Sequence, residues 1–219
     1  MLIYCINCIE SEDRYQETTN EFIKVGIKDV IWIKNPKDEN RVKGCFLSHL
    51  DCYNNFLKSD EEYCMIFEDN VKFLTYNYDI IQKIKEYITE IPDFDLFLLG
   101  HRAINVIEYK DTFLKGNFLQ LNSYLINKKT AQRVVNYYNS TKQFSYIDLF
   151  FNSQLKNINI YGLKDRLCIK STSQSDNKWL LFSDRLRSNS DIENEPSFAE
   201  KIYSRWWLFY NKLTKDCSF

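Results

Sequence analysis

The stretch Cys64-Met65-Ile66-Phe67-Glu68-Asp69-Asn70 decides the fold of this 219-residue chain. An apolar run leads directly into two carboxylates and an amide, and such a run is typical of a strand buried on both faces of a parallel sheet. Ligands of these sheets bind just beyond the carboxyl ends of the strands. Carboxylate and amide oxygens suit a hard divalent cation such as Mg²⁺ or Mn²⁺. The stretch therefore indicates a cation site that receives a phosphorylated ligand, and the simpler alternative is an acidic turn.

The segments on either side of this stretch predict alternating strands and helices. Residues 2–9 and 30–33 have the pattern of short buried strands, and residues 14–25 between them have the apolar spacing of a helix. Strand, helix and strand at this spacing form a βαβ unit, which implies a parallel sheet. The later predicted elements are helices at 44–57, 79–91, 128–138 and 146–155 and strands at 94–99, 121–126 and 158–169.

Composition limits the possible environments and partners. The 29 basic residues nearly balance the 30 acidic ones, so no broad electrostatic surface for nucleic acid is expected. The first residues lack the basic segment of a signal peptide, and no apolar run reaches the roughly 18 residues of a membrane span, so we expect a cytoplasmic protein. Of the seven cysteines, Cys5, Cys45, Cys64 and Cys168 lie in apolar runs, which suits buried thiols in a reducing compartment.

The end of the chain differs from the rest. Residues 171–194 are polar and lack periodicity, which predicts a loop over the site. Residues 197–213 form a strong amphipathic pattern of aromatic and basic residues. Such a helix packs on its own domain or lies on a membrane surface as a peripheral contact. We therefore expect one α/β domain over residues 1–195 and a C-terminal amphipathic helix over 196–219.

The motif Gly44-Cys45-Phe46-Leu47-Ser48-His49-Leu50, followed by Ile66-Phe67-Glu68-Asp69-Asn70-Val71, resembles glycosyltransferase family 25. That family includes bacterial lipopolysaccharide galactosyltransferases and the collagen galactosyltransferases. The resemblance extends over roughly residues 1–180. The further matching pieces are, in order, Ile6-Asn7 with Asp13-Arg14, Tyr124-Leu125-Ile126-Asn127-Lys128-Lys129-Thr130-Ala131, Ile147-Asp148 and Ser173-Gln174-Ser175-Asp176.

The resemblance implies a fold, a reaction and partners. The fold is GT-A-like, a Rossmann-like and mostly parallel sheet flanked by helices. The reaction is transfer of a hexose, in most members galactose, from a UDP-sugar to a hydroxyl of a glycan or protein acceptor, with inversion at the anomeric carbon. Mn²⁺ or Mg²⁺ is the implied cofactor. A bound cation would stabilise the charge that develops on the departing nucleoside diphosphate.

The candidate site residues follow from these motifs. Glu68, Asp69 and Asn70 are the candidates to hold the cation, some contacts being through water; Asp69 and Asn70 are the expected metal ligands and Glu68 is an expected cofactor-binding residue. Inversion also needs a carboxylate that takes the proton of the acceptor hydroxyl, which contributes about 10²–10⁴-fold to the rate. Asp148, at the start of a predicted helix, is the expected base, and the alternative is that it only caps that helix. Asp176, in the predicted closing loop, is the second candidate base.

Five more residues are candidates to bind the donor. The planar guanidinium of an arginine matches phosphate oxygens, so Arg14 and Arg41 are possible diphosphate partners, although exposed arginines are often only solvated. His49 and Ser48 either line the donor pocket or bond to backbone groups near their own helix. Asn7 belongs to the Ile6-Asn7 piece that resembles the opening strand of the family, and the resemblance makes it a further candidate.

Two departures from the family pattern bear on the function. The acidic motif of the family is usually Glu-Asp-Asp, whereas the third position here is Asn70; before Gly44 the family often has Gly-Glu-hydrophobic, whereas Arg41-Val42-Lys43 stand here. An amide oxygen can bind a metal but brings no negative charge. One alternative is therefore a glycosyltransferase-like domain that binds nucleotide or sugar without turnover. Another is a phosphotransfer or hydrolase domain on a similar sheet.

Overall fold

A computed structural model describes residues 1–76, 79–153, 155 and 157–171 of the chain. Residues 1–171 form one compact unit. The expected closing loop with Asp176 and the expected amphipathic helix at 197–213 lie outside the described residues. The domain boundary at 195 and the membrane contact therefore stay predictions. Within the part of the chain that is described, no helix combines the length and apolar character that crossing a membrane requires.

A six-stranded sheet with the order β2-β1-β3-β6-β5-β7 is the centre of the domain. Neighbouring strands run parallel except at β6, which is antiparallel to β3, β5 and β7. The strands β4 and β8 form a second, two-stranded sheet. The prediction of a mostly parallel α/β sheet is confirmed. The strands are β1 (Leu2–Cys8), β2 (Val30–Asn35), β3 (Tyr63–Glu68), β4 (Val71–Phe73), β5 (Leu96–Tyr109), β6 (Phe113–Asn127), β7 (Ile160–Leu163) and β8 (Cys168–Lys170).

Helices cover both faces of the large sheet, and an apolar core lies between the sheet and the helices on each face. The core on one face contains side chains of α2, α4 and α5, and the core on the other face contains side chains of α1 and α3. This arrangement matches the predicted helices to within a few residues at each end. The helices are α1 (Glu12–Lys24), α2 (Arg41–Phe56), α3 (Ile80–Glu90), α4 (Lys128–Thr141) and α5 (Ile147–Ser153).

Strand β3 contributes alternate side chains to the two cores. Cys64 and Ile66 belong to the core under α2, α4 and α5, whereas Met65 and Phe67 belong to the core under α1 and α3. Successive side chains of a strand point to opposite faces of the sheet. Glu68 therefore continues the row of Cys64 and Ile66, toward the α2 side.

The strands β5 and β6 are longer than the sequence predicted. They form a hairpin of a 14-residue and a 15-residue strand, whose outer half extends beyond the predicted ranges of 94–99 and 121–126. Residues 102–109 are half-buried or exposed, so they lack the continuous apolar run on which the prediction was based. The register between the two strands also shifts at three places, which interrupts the alternation of side chains.

The cysteines follow the prediction of buried thiols with one exception. Cys5, Cys64 and Cys168 are free and buried in the core. Cys45 is exposed, so its predicted burial is wrong. It precedes the buried Phe46 on α2 and lies one position off the stripe that faces the sheet. An apolar run in a helix buries only this stripe, whereas a run in a central strand buries every side chain.

Candidate active site

Helix α2 brings several of the candidate residues to the carboxyl end of β3. The helix begins after Asn40, whose side chain accepts a hydrogen bond of 3.1 Å from the backbone N–H of Lys43. Gly44 lies against the preceding loop, since a Cβ at this position would be 2.8 Å from the Cβ of Asp38. This close approach explains the glycine in the motif. One turn further on, His49 reaches the sheet.

His49 is fully buried and is held by two tyrosines. Its Nδ1 shares a hydrogen bond of 2.8 Å with the hydroxyl of Tyr124, which in turn lies 2.6 Å from the hydroxyl of Tyr53. The other ring nitrogen, Nε2, lies 3.7 Å from Oε1 of Glu68, which is beyond hydrogen-bond distance. Nε2 has no hydrogen-bond partner among the described residues. The tyrosines thus fix the ring with Nε2 facing the end of β3.

Glu68 and Asn70 lie together on this side of the strand end. Nδ2 of Asn70 donates a hydrogen bond of 3.4 Å to Oε2 of Glu68. Oδ1 of Asn70 is buried and, within the described part of the chain, accepts no hydrogen bond. Burial acts to raise the pKa of Glu68, but the nearby imidazole of His49 and the ammonium of Lys170 outweigh it and lower this pKa. Glu68 is therefore an anion near pH 7, with a buried amide oxygen beside it.

Asp69 lies on the opposite side, toward α1, and its oxygens are engaged by protein groups. Oδ2 accepts a hydrogen bond of 2.7 Å from Asn7, and Oδ1 lies 3.2 Å from the guanidinium of Arg14. Its backbone carbonyl accepts a hydrogen bond of 2.8 Å from Thr18. Burial, with a smaller contribution from Glu68, raises the pKa of Asp69 despite the opposing effect of Arg14 and Asn7. This network fixes the loop after β3 to β1 and α1.

Asp148 occupies the first turn of α5, on the same face of the sheet as Glu68. Its Oδ1 accepts a hydrogen bond of 2.8 Å from the backbone N–H of Leu149, and its Oδ2 accepts one of 3.2 Å from that of Gln120. Burial mainly, and also the negative charge of Glu68, raise the pKa of Asp148. A carboxylate with a raised pKa is a better proton acceptor than an ordinary aspartate. It is also fixed in orientation by two backbone groups.

Ser48 and Arg41 are the remaining predicted residues, and both lie on α2. Ser48 is buried, where its hydroxyl donates to the carbonyl of Gly44 over 2.9 Å and accepts from Asn35 over 3.1 Å. These bonds fit the structural reading of Ser48. Arg41 is exposed at the first residue of α2.

The structure thus divides the predicted site residues into two groups. His49, Glu68 and Asp148 lie on the α2 and α5 side, with Asn70 bonded to Glu68 after the strand end, whereas Asn7, Arg14 and Asp69 form the network on the α1 side. Sequence reasoning did not identify Cys45, Tyr124 and Lys170 as neighbours of the first group. Cys45 precedes His49 by four residues, a spacing that places two side chains on one face of a helix and that could have revealed it. No local signal marks Tyr124 or Lys170, because both come from distant strands.

The donor atoms on the α2 side fit a divalent cation. Glu68 offers a carboxylate, Asn70 an amide oxygen and His49 an imidazole nitrogen. Neither the Asn70 oxygen nor this His49 nitrogen has a hydrogen-bond partner among the described residues. Carboxylate and carbonyl oxygens suit Mg²⁺ and Mn²⁺. Asp69 can join such a site only if its oxygens are shared with, or released by, Asn7 and Arg14. The residues present therefore fit the cation that the family pattern implies.

A cavity of about 240 Å³ lies beside Asn70, between α1 and residues 69–72. Its lining includes the side chains of Glu17, Glu21 and Lys24. Pockets that enclose a ligand of drug size have volumes of about 300–1,000 Å³. A nucleotide sugar exceeds what this cavity holds, so a donor at this edge of the sheet needs the open surface beyond the strand ends.

The sequence profile of glycosyltransferase family 25, described as an LPS biosynthesis protein family, matches residues 39–151, which is just over half of the chain. The match begins immediately before α2 and ends within α5, so it contains His49, Glu68 and Asp148. The chain belongs to glycosyltransferase family 25, and it is a glycosyltransferase. A comparison with curated protein sequences gives no match.

Several solved structures resemble the chain at low identity. A glycosyltransferase involved in the glycosylation of the major capsid of PBCV-1 is 10% identical, with 80% of this chain and 95% of that chain covered and a TM-score of 0.46. TarS 1-349 of S. aureus is 14% identical, with 88% and 67% covered and a TM-score of 0.44. The inositol-1-phosphate CTP transferase from T. maritima is 13% identical, with 84% and 77% covered and a TM-score of 0.43. The family assignment rests on the matched residues 39–151 and not on these similarities.

Proposed function

We propose that the protein transfers a hexose from a UDP-sugar to a hydroxyl of a glycan or protein acceptor, with inversion and with dependence on Mn²⁺ or Mg²⁺. One observation carries this proposal. Glu68 and Asn70, at the carboxyl end of β3, lie on the same face of the sheet as Asp148, and the charge of Glu68 contributes to the raised pKa of Asp148. A cation bound at Glu68 and a proton acceptor at Asp148 would then act on the same face of the sheet.

The cation would be held by Asn70, with Glu68 beside it, and with Asp69 as a further ligand where its partners allow. When bound, it would neutralise the charge that develops on the leaving nucleoside diphosphate. Among the described residues Asn70 Oδ1 accepts no hydrogen bond and is available to a cation, whereas Oε2 of Glu68 already accepts the hydrogen bond from Asn70 Nδ2. Asp69 has to share its oxygens with Arg14 and Asn7. We therefore assign Arg14 and Asn7 the task of orienting Asp69, and Arg41 remains the candidate for a direct contact with the diphosphate.

Asp148 would act as the base. The acceptor oxygen attacks the anomeric carbon from the face opposite the diphosphate, the bond from that carbon to the diphosphate oxygen breaks, and the proton of the acceptor hydroxyl passes to Asp148. The two backbone N–H groups that bind its carboxylate keep it in one orientation. Asp176 is the alternative base and lies outside the described residues.

The test is a coupled assay of UDP release with Mn²⁺, run over a panel of UDP-, GDP- and CMP-sugars with and without candidate acceptors. We expect acceptor-dependent UDP release that chelation abolishes. Asp148→Asn should lower turnover by about 10²-fold or more and leave UDP binding intact. Unchanged turnover of this variant would remove Asp148 from the reaction and leave Asp176 as the candidate.

A second candidate function is a domain that binds a nucleotide or sugar without turnover, and the amide at Asn70 favours it. This candidate predicts UDP binding but no UDP release with any donor of the panel. Asn70→Asp separates the two functions further. If this position faces the cation, Mn²⁺ should bind more tightly to the variant, because a carboxylate replaces a neutral oxygen ligand.

A further inference from the structure

Three side chains of different chemistry lie close together where α2 faces the carboxyl end of β3. The sulfur of Cys45, a ring nitrogen of His49 and a carboxylate oxygen of Glu68 all lie within 4.8 Å of one another. Cys45 and His49 are four residues apart on α2, so both project from the same face of the helix. Glu68 comes from the end of β3, a central strand of the large sheet. Two of the three ligands are thus placed by helical geometry and the third by the sheet.

The environment of His49 points independently to a ligand. The ring is fully buried, and Nε2 has no hydrogen-bond partner among the residues that the structure describes. A buried nitrogen without a hydrogen-bond partner lowers the stability of the fold unless a ligand binds to it. The contact of Nδ1 with the Tyr124 hydroxyl is the kind of outer contact that orients histidines bound to metals.

We propose that Cys45, His49 and Glu68 form a binding site for a thiophilic divalent cation such as Zn²⁺. Zn²⁺ binds thiolate sulfur at about 2.3 Å and imidazole nitrogen or carboxylate oxygen at about 2.0–2.2 Å. In a tetrahedron these bonds place the ligand atoms about 3.3–3.6 Å apart. The distance of 3.7 Å between Nε2 of His49 and Oε1 of Glu68 exceeds the upper end of this range by only about 0.1 Å. The separations that involve the Cys45 sulfur are at most 4.8 Å and must therefore shrink by up to about 1.2–1.5 Å, which a rotation of the exposed Cys45 side chain can provide.

This site differs in chemistry from the site proposed for the donor cation. Mn²⁺ and Mg²⁺ prefer oxygen ligands, whereas a thiolate with an imidazole selects Zn²⁺. Three protein ligands leave the fourth position of the tetrahedron open. The two sites share Glu68 and the imidazole nitrogen of His49, so Zn²⁺ draws both away from the donor cation. Bound Zn²⁺ should therefore inhibit transfer, and Cys45 sets the sensitivity.

The test measures metal binding to the full chain without nucleotide or donor, so that its outcome does not depend on the proposed function. Zinc chloride is titrated calorimetrically, and Co²⁺ is used as a spectroscopic substitute that shows a charge-transfer band when a thiolate is bound. We expect about one Zn²⁺ per chain and a thiolate band with Co²⁺. In Cys45→Ser the band should disappear and Zn²⁺ affinity should fall by about 10-fold or more. Even the removal of an outer-shell partner of a metal ligand lowers metal affinity by about 10–100-fold, and Cys45 is a direct ligand in this proposal.

The matched control is Cys8→Ser, which removes a half-buried thiol that is outside the cluster. This variant should keep both the band and the affinity of the unmodified chain. Glu68→Gln should weaken Zn²⁺ binding while leaving the thiolate band in place. Absence of Zn²⁺ binding to the unmodified chain, or a thiolate band that persists in Cys45→Ser, would overturn the proposal.

Inhibition gives a second measurement once a donor is known. Each variant is compared with its own rate in the absence of Zn²⁺, with Mn²⁺ held constant. The unmodified chain and Cys8→Ser should be inhibited by the same Zn²⁺ concentration, and Cys45→Ser should require about 10-fold more. Equal sensitivity of all three chains would overturn the link between Zn²⁺ and transfer.

Discussion

Replacing Tyr124 by phenylalanine tests how His49 is held in the site. The Tyr124 hydroxyl lies between two fully buried groups, at 2.8 Å from Nδ1 of His49 and at 2.6 Å from the hydroxyl of Tyr53. Tyr124→Phe keeps the shape of the ring and removes the shared partner of both groups. Each buried polar group that loses its partner costs about 1–3 kcal/mol. We expect the free energy of unfolding to fall by about 2–6 kcal/mol.

Tyr53→Phe is the matched control, because it removes a hydroxyl from the same chain of hydrogen bonds but leaves Tyr124 paired with His49. Its expected cost is about 0.5–1.5 kcal/mol, the net value of one hydrogen bond. In the double variant only the imidazole is left without its partner, so it should lose less than the two single variants added together. Urea unfolding of the four proteins gives the free energies, provided that the slope with urea stays constant.

Equal losses in the two single variants, or strict additivity in the double variant, would refute the role of Tyr124 as the shared partner. Zinc binding offers a separate measurement on the same proteins. An outer-shell contact of a metal ligand contributes about 10–100-fold to affinity. Tyr124→Phe should therefore weaken Zn²⁺ binding by about this factor, and Tyr53→Phe should weaken it less.

Three further predictions concern a buried ion pair, the sheet and the base. Arg14→Ala leaves the carboxylate of Asp69 buried without its cation, so the free energy of unfolding in urea should fall by about 3–5 kcal/mol. Adding Asp69→Asn to Arg14→Ala removes the buried charge and should restore most of this free energy. Gly100→Ala introduces a Cβ at 2.7 Å from the backbone carbonyl of Cys168, and this overpacking should cost about 1–3 kcal/mol of unfolding free energy; an unchanged urea midpoint would contradict it. The transfer rate should fall as the pH is lowered through the raised pKa of Asp148, because only the deprotonated carboxylate accepts a proton. This fall in rate on the acid side should occur above the usual aspartate pKa of about 3.9. In Asp148→Asn it should be absent from the pH profile.

Local signals in the sequence were sufficient for most of the helices and the central strands. The stripe of Phe46, Leu50 and Tyr53 marks α2, and the unbroken apolar run before Glu68 marks β3. These patterns are predictive because burial of a helix or a strand requires apolar residues at its own period. The outer half of the β5–β6 hairpin escaped prediction, since half-exposed strands carry no such pattern.

The candidate site was predictable in part, and the limit lies at Glu68 and Asp69. The sequence places both at the end of one strand, which suggests a single cluster of ligands. In the structure Glu68 faces His49 on α2, and Asp69 is bound by Arg14 on α1. The alternation along a strand separates adjacent side chains, and the partners that engage them come from distant parts of the chain.

The sequence by itself determined that an apolar strand ends in oxygen ligands, that a helix with a Cys-x-x-Ser-His motif precedes it, and that both belong to an α/β domain. These properties are local, because they depend only on the period and chemistry of neighbouring residues. The tertiary structure alone decided that Tyr124 fixes His49, that Cys45 lies near Glu68, and that Asp148 is on the same face. Those contacts join residues from separate elements, and the packing of helices on the sheet determines which elements meet.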